Sequence, residues 1–347
     1  MGPRINATHN PDSVCIYCLF RVMLTGSFSP VARKVLNLIV TCSARKTVQP
    51  SSWTRARTLK AQTLPERFDE WTGKLERCGA QKIAAQNLYC GSSWAAIRRA
   101  IANWEQPEEI KLWIISAGHG LVSGTSPIAP YAATFCSRHA DFVLGREREC
   151  GGIGMWWRHL VRWRRSINSD RPTSIEAVAK AYRNSPLLVA LSADYFSALM
   201  TDLSAARRQL RNPSHLVIIC AGAEKESELK QNLLPCDSRL EHILGRGRSA
   251  LNARILGRIL SDTLFKSIDS TQLGKTYSSL LLRCPPSTYP KRTRQSDEII
   301  SQFISARFKD DSQATHSWLL TEYRRTGFAC EQSRFRDLFK RVQSHFK

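Results

Sequence analysis

Residues 35–46 read VLNLIVTCSARK, and the parsing of that stretch decides the fold. Val35 to Val40 is a short, largely apolar run rich in β-branched side chains, and it stops abruptly in the polar cluster Thr41–Lys46. A run of that length without polar alternation is the pattern of a strand buried on both faces. Three later stretches repeat it. Leu112–Ile115 (LWII) runs into Ser116-Ala117-Gly118-His119-Gly120. Leu187–Leu191 (LLVAL) runs into Ser192-Ala193-Asp194-Tyr195, and Leu216–Cys220 (LVIIC) into Ala221-Gly222-Ala223. Helical periodicity fills the intervals, with two helices expected in residues 66–103 around Asn87–Gly91. Buried strands alternating with helices predict an α/β fold with a parallel central sheet flanked by helices. Ligands of such sheets bind at the carboxyl ends of the strands, so one composite site is expected there. No GxGxxG follows a strand and no GxxxxGK[ST] occurs, which disfavours dinucleotide and nucleoside triphosphate chemistry. No cofactor is expected.

The chain has 347 residues, and 51 Lys and Arg against 29 Asp and Glu give a formal net charge of +22. Charge that far from neutral repels itself and is relieved by a polyanionic partner, which favours DNA over a purely solubilising surface. Hydrophobic residues at 42% are enough for a real core. No apolar run reaches the ~20 residues that span a bilayer, so no membrane partner and a cytoplasmic location are expected. Residues 1–33 read as an N-terminal extension. Their apolar stretch Val14–Leu24 is interrupted by Arg21 and lacks a clear cleavage site, which argues against a signal peptide. Residues 34–283 form the α/β domain. The segment 284–296 (CPPSTYPKRTRQS) reads as a linker, and 297–347 as a module of three short helices. The eleven cysteines include one CxxC, Cys15–Cys18, with no second ligand pair, so no metal site and reduced thiols are expected. Cys42, Cys220 and Cys330 read as small hydrophobes inside apolar elements.

The positive charge is clustered. In Met155–Arg165 (MWWRHLVRWRR), helical spacing puts Trp156, Leu160 and Trp163 on one face and Arg158, Arg162 and Arg165 on another. Either the Trp face docks and the arginines form a ridge for DNA, or the aromatics act as a wedge between base pairs. Leu244–Arg254 (LGRGRSALNAR) is a Gly-Arg turn opening a helix, where Arg246, Arg248, Asn252 and Arg254 are placed to meet phosphates. In the C-terminal module, Trp318–Gly327 and Glu331–Arg336 read as helix, Gly turn, helix, with Ser312 as a cap and Trp318, Leu319, Phe335, Leu338 and Phe339 as the core. Gln332, Arg334 and Arg336 then sit where a recognition helix meets DNA; the competing reading is a helical cap.

Several motifs resemble a known superfamily. Val40-Thr41-Cys42-Ser43-Ala44-Arg45-Lys46 resembles the PCSARKPYS-type signature of the uracil-DNA-glycosylase-like domain of archaeosine synthase. Leu88–Trp94 (LYCGSSW), Ile115–Val122 (ISAGHGLV) and Ile128–Tyr131 (IAPY) resemble motifs of the related peroxide-stress protein group. The resemblance spans roughly residues 34–260, with clear motifs in the first half. It implies a uracil-DNA-glycosylase-like sheet with a nucleobase pocket, and a place among glycosylases that remove hypermodified bases from phage DNA. The Gly-Gln-Asp-Pro and His-Pro-Ser motifs of true uracil-DNA glycosylases are missing, so base specificity and catalytic residues do not carry over.

On this reading Cys42, Ser43, Tyr89, Ser116, Gly118 and Tyr131 line a base pocket, and Arg45 and Lys46 bear on a base edge or phosphate. Tyr89 and Tyr131 are equally readable as core. His119, between two glycines, has no obvious core face and is placed to stabilise a leaving base. Breaking an N-glycosidic bond calls for a carboxylate, and Asp194 is the first candidate, with an N-cap role as its competitor; Asp69 and Glu70 come second. The expected function is a monofunctional DNA glycosylase acting on double-stranded DNA with modified bases, such as glucosylated hydroxymethylcytosine, since no lysine stands out as a Schiff-base nucleophile. The alternatives are a non-catalytic DNA-binding protein on the same fold and a base-modifying transferase acting on tRNA or DNA.

Overall fold

The computed structural model describes residues 34–145, 152–168, 170–222, 228–245, 247–286, 292–311 and 313–345. Cys15 and Cys18, Arg246, Ser312 and the N-terminal extension lie outside the described residues. The chain divides into two compact units, Met1–Pro285 and Pro286–Lys347.

The first unit is built on a five-stranded sheet. Its strands are β1 (Val35–Thr41), β2 (Glu109–Ser116), β3 (Gly120–Ser123), β4 (Leu187–Ala190) and β5 (Leu216–Ile219). Their order is β3-β2-β1-β4-β5, with β3 antiparallel to β2 and every other neighbouring pair parallel. The four runs expected as strands are the four parallel strands. Both pleat faces of β1 are covered, because Leu36 and Leu38 on one face and Asn37 and Ile39 on the other are fully buried. Asn37 is tolerated there because its Oδ1 accepts the Trp113 indole N–H at 3.0 Å. The strand missed in the sequence is β3. It pairs with β2 through the tight turn Ala117-Gly118-His119, and Gly120 takes φ +73°, which favours glycine.

Among the described residues, seven longer helices accompany the sheet: α1 (Leu64–Glu76), α2 (Ser92–Ala102), α3 (Gly152–Ile167), α4 (Ile175–Ala181), α5 (Ala193–Gln209), α6 (Leu251–Asp262) and α7 (Ser270–Arg283). α1, α4 and α5 pack with α3 or with each other, and α2 packs on α6. On α3 the Trp face is the docked face: Trp156, Trp157 and Leu160 are buried, while Arg158, Arg162 and Arg165 are exposed. Among the described residues no helix is long and apolar enough to cross a membrane.

The second unit holds α8 (Asp297–Asp310), α9 (His316–Arg325) and α10 (Gln332–His345). Its own core comprises Ile300, Ile304, Leu319, Tyr323, Phe335 and Leu338 among others. Trp318 is not part of that core; it is 50% exposed, because Leu319 and Leu320 occupy the inward face of α9. The turn between α9 and α10 is longer than the Gly turn expected, since Phe328–Ala329 pairs in parallel with Thr293–Arg294. That pairing also takes the end of the expected linker into the helical unit.

Candidate functional site

The carboxyl ends of the strands do not form one open mouth. The β2 end is sealed. The backbone carbonyls of Ala117 and Gly118 accept indole N–H groups from Trp156 and Trp71, both at 2.9 Å. A Cβ on Gly118 would lie 2.5 Å from the Tyr131 ring, so this glycine serves close packing with a side chain and not with a ligand. Beneath the turn, Ser116 Oγ donates to the Tyr131 hydroxyl at 2.6 Å and accepts the His119 N–H at 2.8 Å. The Tyr131 and Tyr89 hydroxyls meet at 3.0 Å.

These positions correct the expected base pocket. Ser116, Tyr89 and Tyr131 are fully buried, and Tyr89 stacks on Trp94 with centroids 5.2 Å apart. Their side chains are core, with satisfied hydroxyls, and offer no slot for a base. His119 does fill a core face. It packs edge-on against Tyr131, and its Nε2 lies 3.0 Å from the Ala129 carbonyl, so Nε2 carries the proton and donates it. Burial pushes the imidazole pKa down to about 3, so His119 is neutral and committed, and it does not contact a leaving base.

The ends of β1, β4 and β5 are different. Cys42 is one residue past β1 and only partly buried, with Sγ 3.1 Å from the Tyr195 hydroxyl. Ser43 Oγ donates to the Arg45 and Cys90 carbonyls at 2.7 and 3.0 Å, which folds the 42–46 turn onto the Tyr89 segment. Arg45 is exposed, whereas Lys46 is turned inward and 8% exposed. This corrects the phosphate contact expected of Lys46 from the sequence, because the side chain is not at the surface. Asn252 is also reassigned. Its Oδ1 accepts the Ala221 N–H at 3.0 Å and its Nδ2 donates to the Leu191 carbonyl at 2.7 Å, strapping the ends of β4 and β5 together.

Asp194 lies in the first turn of α5. The helix begins at Ala193 with Ser192 in the N-cap position, so Asp194 is not the cap. Its carboxylate makes no hydrogen bond or ion pair among the described residues. It lines a cleft of about 280 Å³ with Phe135, Ser137, Phe142, Phe196 and Gly222. The loop carrying Phe135 and Phe142 is held from outside: Asp141, 2% exposed, takes the Arg57 guanidinium through Oδ1 at 2.8 Å, and Arg67 donates to the Val143 carbonyl at 2.7 Å. The paired guanidinium lowers the Asp141 carboxyl pKa despite its burial, which alone would raise it. Sequence reasoning missed this loop, because aromatic residues in a segment without periodicity carry no signal. Of the second-choice carboxylates, Asp69 is exposed on α1. Glu70 is engaged by the Lys60 and Ala61 N–H groups at 2.9 and 3.1 Å and by Lys74 at 3.0 Å.

A larger cleft of about 720 Å³ runs between α3 and α5. Arg158, Arg162 and Arg165 line it, over a floor that includes Trp157, Val161 and Met200. Ile153, Ser197 and Met200 line both clefts, so the arginine-bordered groove adjoins the Asp194 cleft. Trp156 takes no part in it; a fully buried indole whose N–H is already bonded cannot enter a DNA stack, which rules out the wedge at this residue. Arg248 precedes α6 in a short 3-10 turn, and Arg254 donates to the Gly245 carbonyl, so Arg254 is held by the Gly-Arg turn itself. In the helical unit, Gln332 and Arg336 are exposed at the start of α10. Arg334 is drawn off to Asp297 (Nε–Oδ1 2.7 Å) and the Gln295 carbonyl, where it fastens α10 to the start of α8.

No group of three or more His, Cys, Asp or Glu able to hold a metal ion occurs among the described residues. Compared with known proteins, the chain matches no family model, no curated protein and no solved structure.

Proposed function

We propose that this protein is a DNA glycosylase that takes a modified base out of duplex DNA and excises it, leaving an abasic site. The observation that carries the reading is the junction of the two clefts. Asp194, unpaired among the described residues, stands in an aromatic-walled cleft that adjoins a groove bordered by three arginines of α3. At about 280 Å³ the smaller cleft is near the lower end of the ~300–1,000 Å³ of small-molecule pockets, a size for one flat base with little else. The larger groove shares Ile153, Ser197 and Met200 with it, and on this reading takes the substituent of a base such as glucosylated hydroxymethylcytosine. Such bases mark phage genomes, and their removal is a defence against phage.

The N-glycosidic bond breaks through a sugar that carries positive charge, and a carboxylate close to that sugar stabilises it or activates the attacking water. Asp194 fills that role. The arginines along α3 hold the phosphates that bring the flipped nucleotide to the cleft.

Incubation with modified phage DNA and with unmodified DNA, followed by alkali, tests the reading. Alkali-labile breaks are expected in the modified DNA. No break on any modified DNA sinks it. Retardation without breaks then points to a non-catalytic DNA-binding protein, and base exchange without abasic sites to a transferase. Asp194→Asn is expected to lower cleavage about a hundredfold or more while DNA is still bound.

A further inference from the structure

The most exposed tryptophan of the first unit is Trp53, 49% exposed on the segment that follows the 42–46 turn. Its backbone is anchored. Thr54 and Ala56 beside it are fully buried. The Thr54 carbonyl accepts the Ala132 N–H at 2.8 Å, the Ala56 N–H donates to the Ala132 carbonyl at 2.8 Å, and Thr54 Oγ1 donates to the Pro130 carbonyl at 3.0 Å. The indole lies against the end of α1, with the Lys74 ammonium 5.0 Å and the Arg77 guanidinium 5.9 Å from the ring centroid. Lys74 does not need the ring as a partner, because Glu70 and the Thr58 carbonyl, each at 3.0 Å, already hold its ammonium. The half of the indole that stays in water is thus fixed in place and backed by cations. The charge around it has one sign: residues 34–65 carry six Lys and Arg and no Asp or Glu. Lys60 and Arg77 are exposed and form no ion pair among the described residues. An aromatic face set among unpaired cations suits a nucleic acid strand, since the cations hold phosphates while the ring stacks a base of any identity. A contact between proteins places its tryptophan in an apolar centre depleted of charge instead. A base inside a duplex has both faces covered by its neighbours, so the base that fits here is an unpaired one.

We propose that Trp53 is a stacking platform for an unpaired nucleobase of a DNA strand, either in a single-stranded stretch or displaced from a duplex. Lys60 and Arg77 meet the phosphates on either side of that base. The wedge ruled out at Trp156 needed a buried indole to come free, whereas Trp53 already presents its ring to solvent. Stacking is read from binding alone. Its failure therefore leaves base excision at Asp194 standing, and a failure of excision leaves the platform standing.

The test measures the affinity of the full chain for an oligothymidylate, for an abasic strand with the same number of phosphates, and for DNA duplexes with and without one unpaired base. The oligothymidylate is expected to bind more tightly than the abasic strand, and the duplex with an unpaired base more tightly than the paired one. Trp53→Ala is expected to lower affinity for both DNAs that offer an unpaired base by at least about fivefold, which is the ~1 kcal/mol at the lower end of base stacking taken at ~1.4 kcal/mol per tenfold. Affinity for the abasic strand and the slope of log K against log salt should not change, since no phosphate contact is removed. A parent that shows no preference for unpaired bases, a variant that loses nothing, or one that loses equally on the abasic strand would overturn the proposal. A loss seen only with polyglutamate would assign the surface to an acidic protein and overturn it as well. If Trp53→Ala does not fold, Trp53→Phe, which keeps a ring over α1, takes its place with tryptophan emission as the readout. Quenching by the oligothymidylate beyond that by the abasic strand, lost in Trp53→Phe, supports the platform; equal quenching by the two strands overturns it.

Discussion

At the scale of single residues, the hydroxyl chain under the β2–β3 turn shows how far one atom reaches. Tyr131→Phe deletes the oxygen that both Ser116 and Tyr89 use, and leaves two buried hydroxyls short of a partner. An unsatisfied buried group costs about 1–3 kcal/mol, so thermal unfolding should show a Tm several degrees below that of the parent. His119 adds a dependence on pH. Its pKa is about 3 in the folded protein against 6.5 as the ordinary value, so the unfolded chain takes up the proton first. Stability contributed by the neutral ring is whole above pH 6.5 and is lost as pH falls from there toward 3. At pH 5 the loss is about 2 kcal/mol at ~1.4 kcal/mol per unit. Chemical denaturation at pH 7 and pH 5 measures it, and His119→Gln should flatten the difference. Neither property was legible in the sequence. A histidine between two glycines looks like a loop residue, and only the packing of Trp71, Trp156 and Tyr131 around that turn makes it a core one.

At the scale of elements, sequence and structure agree where periodicity carries information. The four apolar runs are the four parallel strands, since each is buried on both faces and so shows no alternation. The 100° spacing of α3 separated its docked tryptophans from its exposed arginines, and that division is observed. What failed was the assignment of function to residues at strand ends and helix starts. Asn252, Arg334 and Arg254 all looked free to meet phosphate, and each is spent on backbone groups or a carboxylate of this chain. Polar side chains near chain reversals are drawn to the unpaired backbone groups there, and sequence does not show which groups those are. Arg158 and Arg162 of α3 escape this because they lie mid-helix, where the backbone is already paired, and Arg165 in the last turn is exposed beside them. Replacing Arg158, Arg162 and Arg165 together by Gln should therefore weaken DNA binding. The slope of log K against log salt should fall by about 0.9 for each phosphate that the arginines no longer neutralise. Titrations at several salt concentrations give that slope; an unchanged value would place the DNA elsewhere.

At the scale of the whole molecule, the chain carries two separate cores, and the division at Pro285–Pro286 falls within the proline-rich stretch that marked a linker in the sequence. Each core is closed by residues of its own unit. Deleting residues 297–347 should leave the first unit folded, with a cooperative melt of its own. It should weaken DNA affinity more than it slows base release measured at saturating protein. If affinity and its salt dependence are unchanged by the deletion, the exposed Gln332 and Arg336 of α10 do not meet DNA. The tryptophans offer a means of watching the two units apart. Eight of the nine are in the first unit, and Trp71, Trp94, Trp156 and Trp157 are almost wholly buried there, whereas the second unit has Trp318 alone, half exposed on α9. A collisional quencher such as acrylamide will reach Trp318 well before those four. Replacing Trp318 and the half-exposed Trp53 by Phe leaves an emission that reports mainly on the sheet and its helices. The difference between the parent and a Trp318→Phe single variant then gives a light signal for the helical module alone.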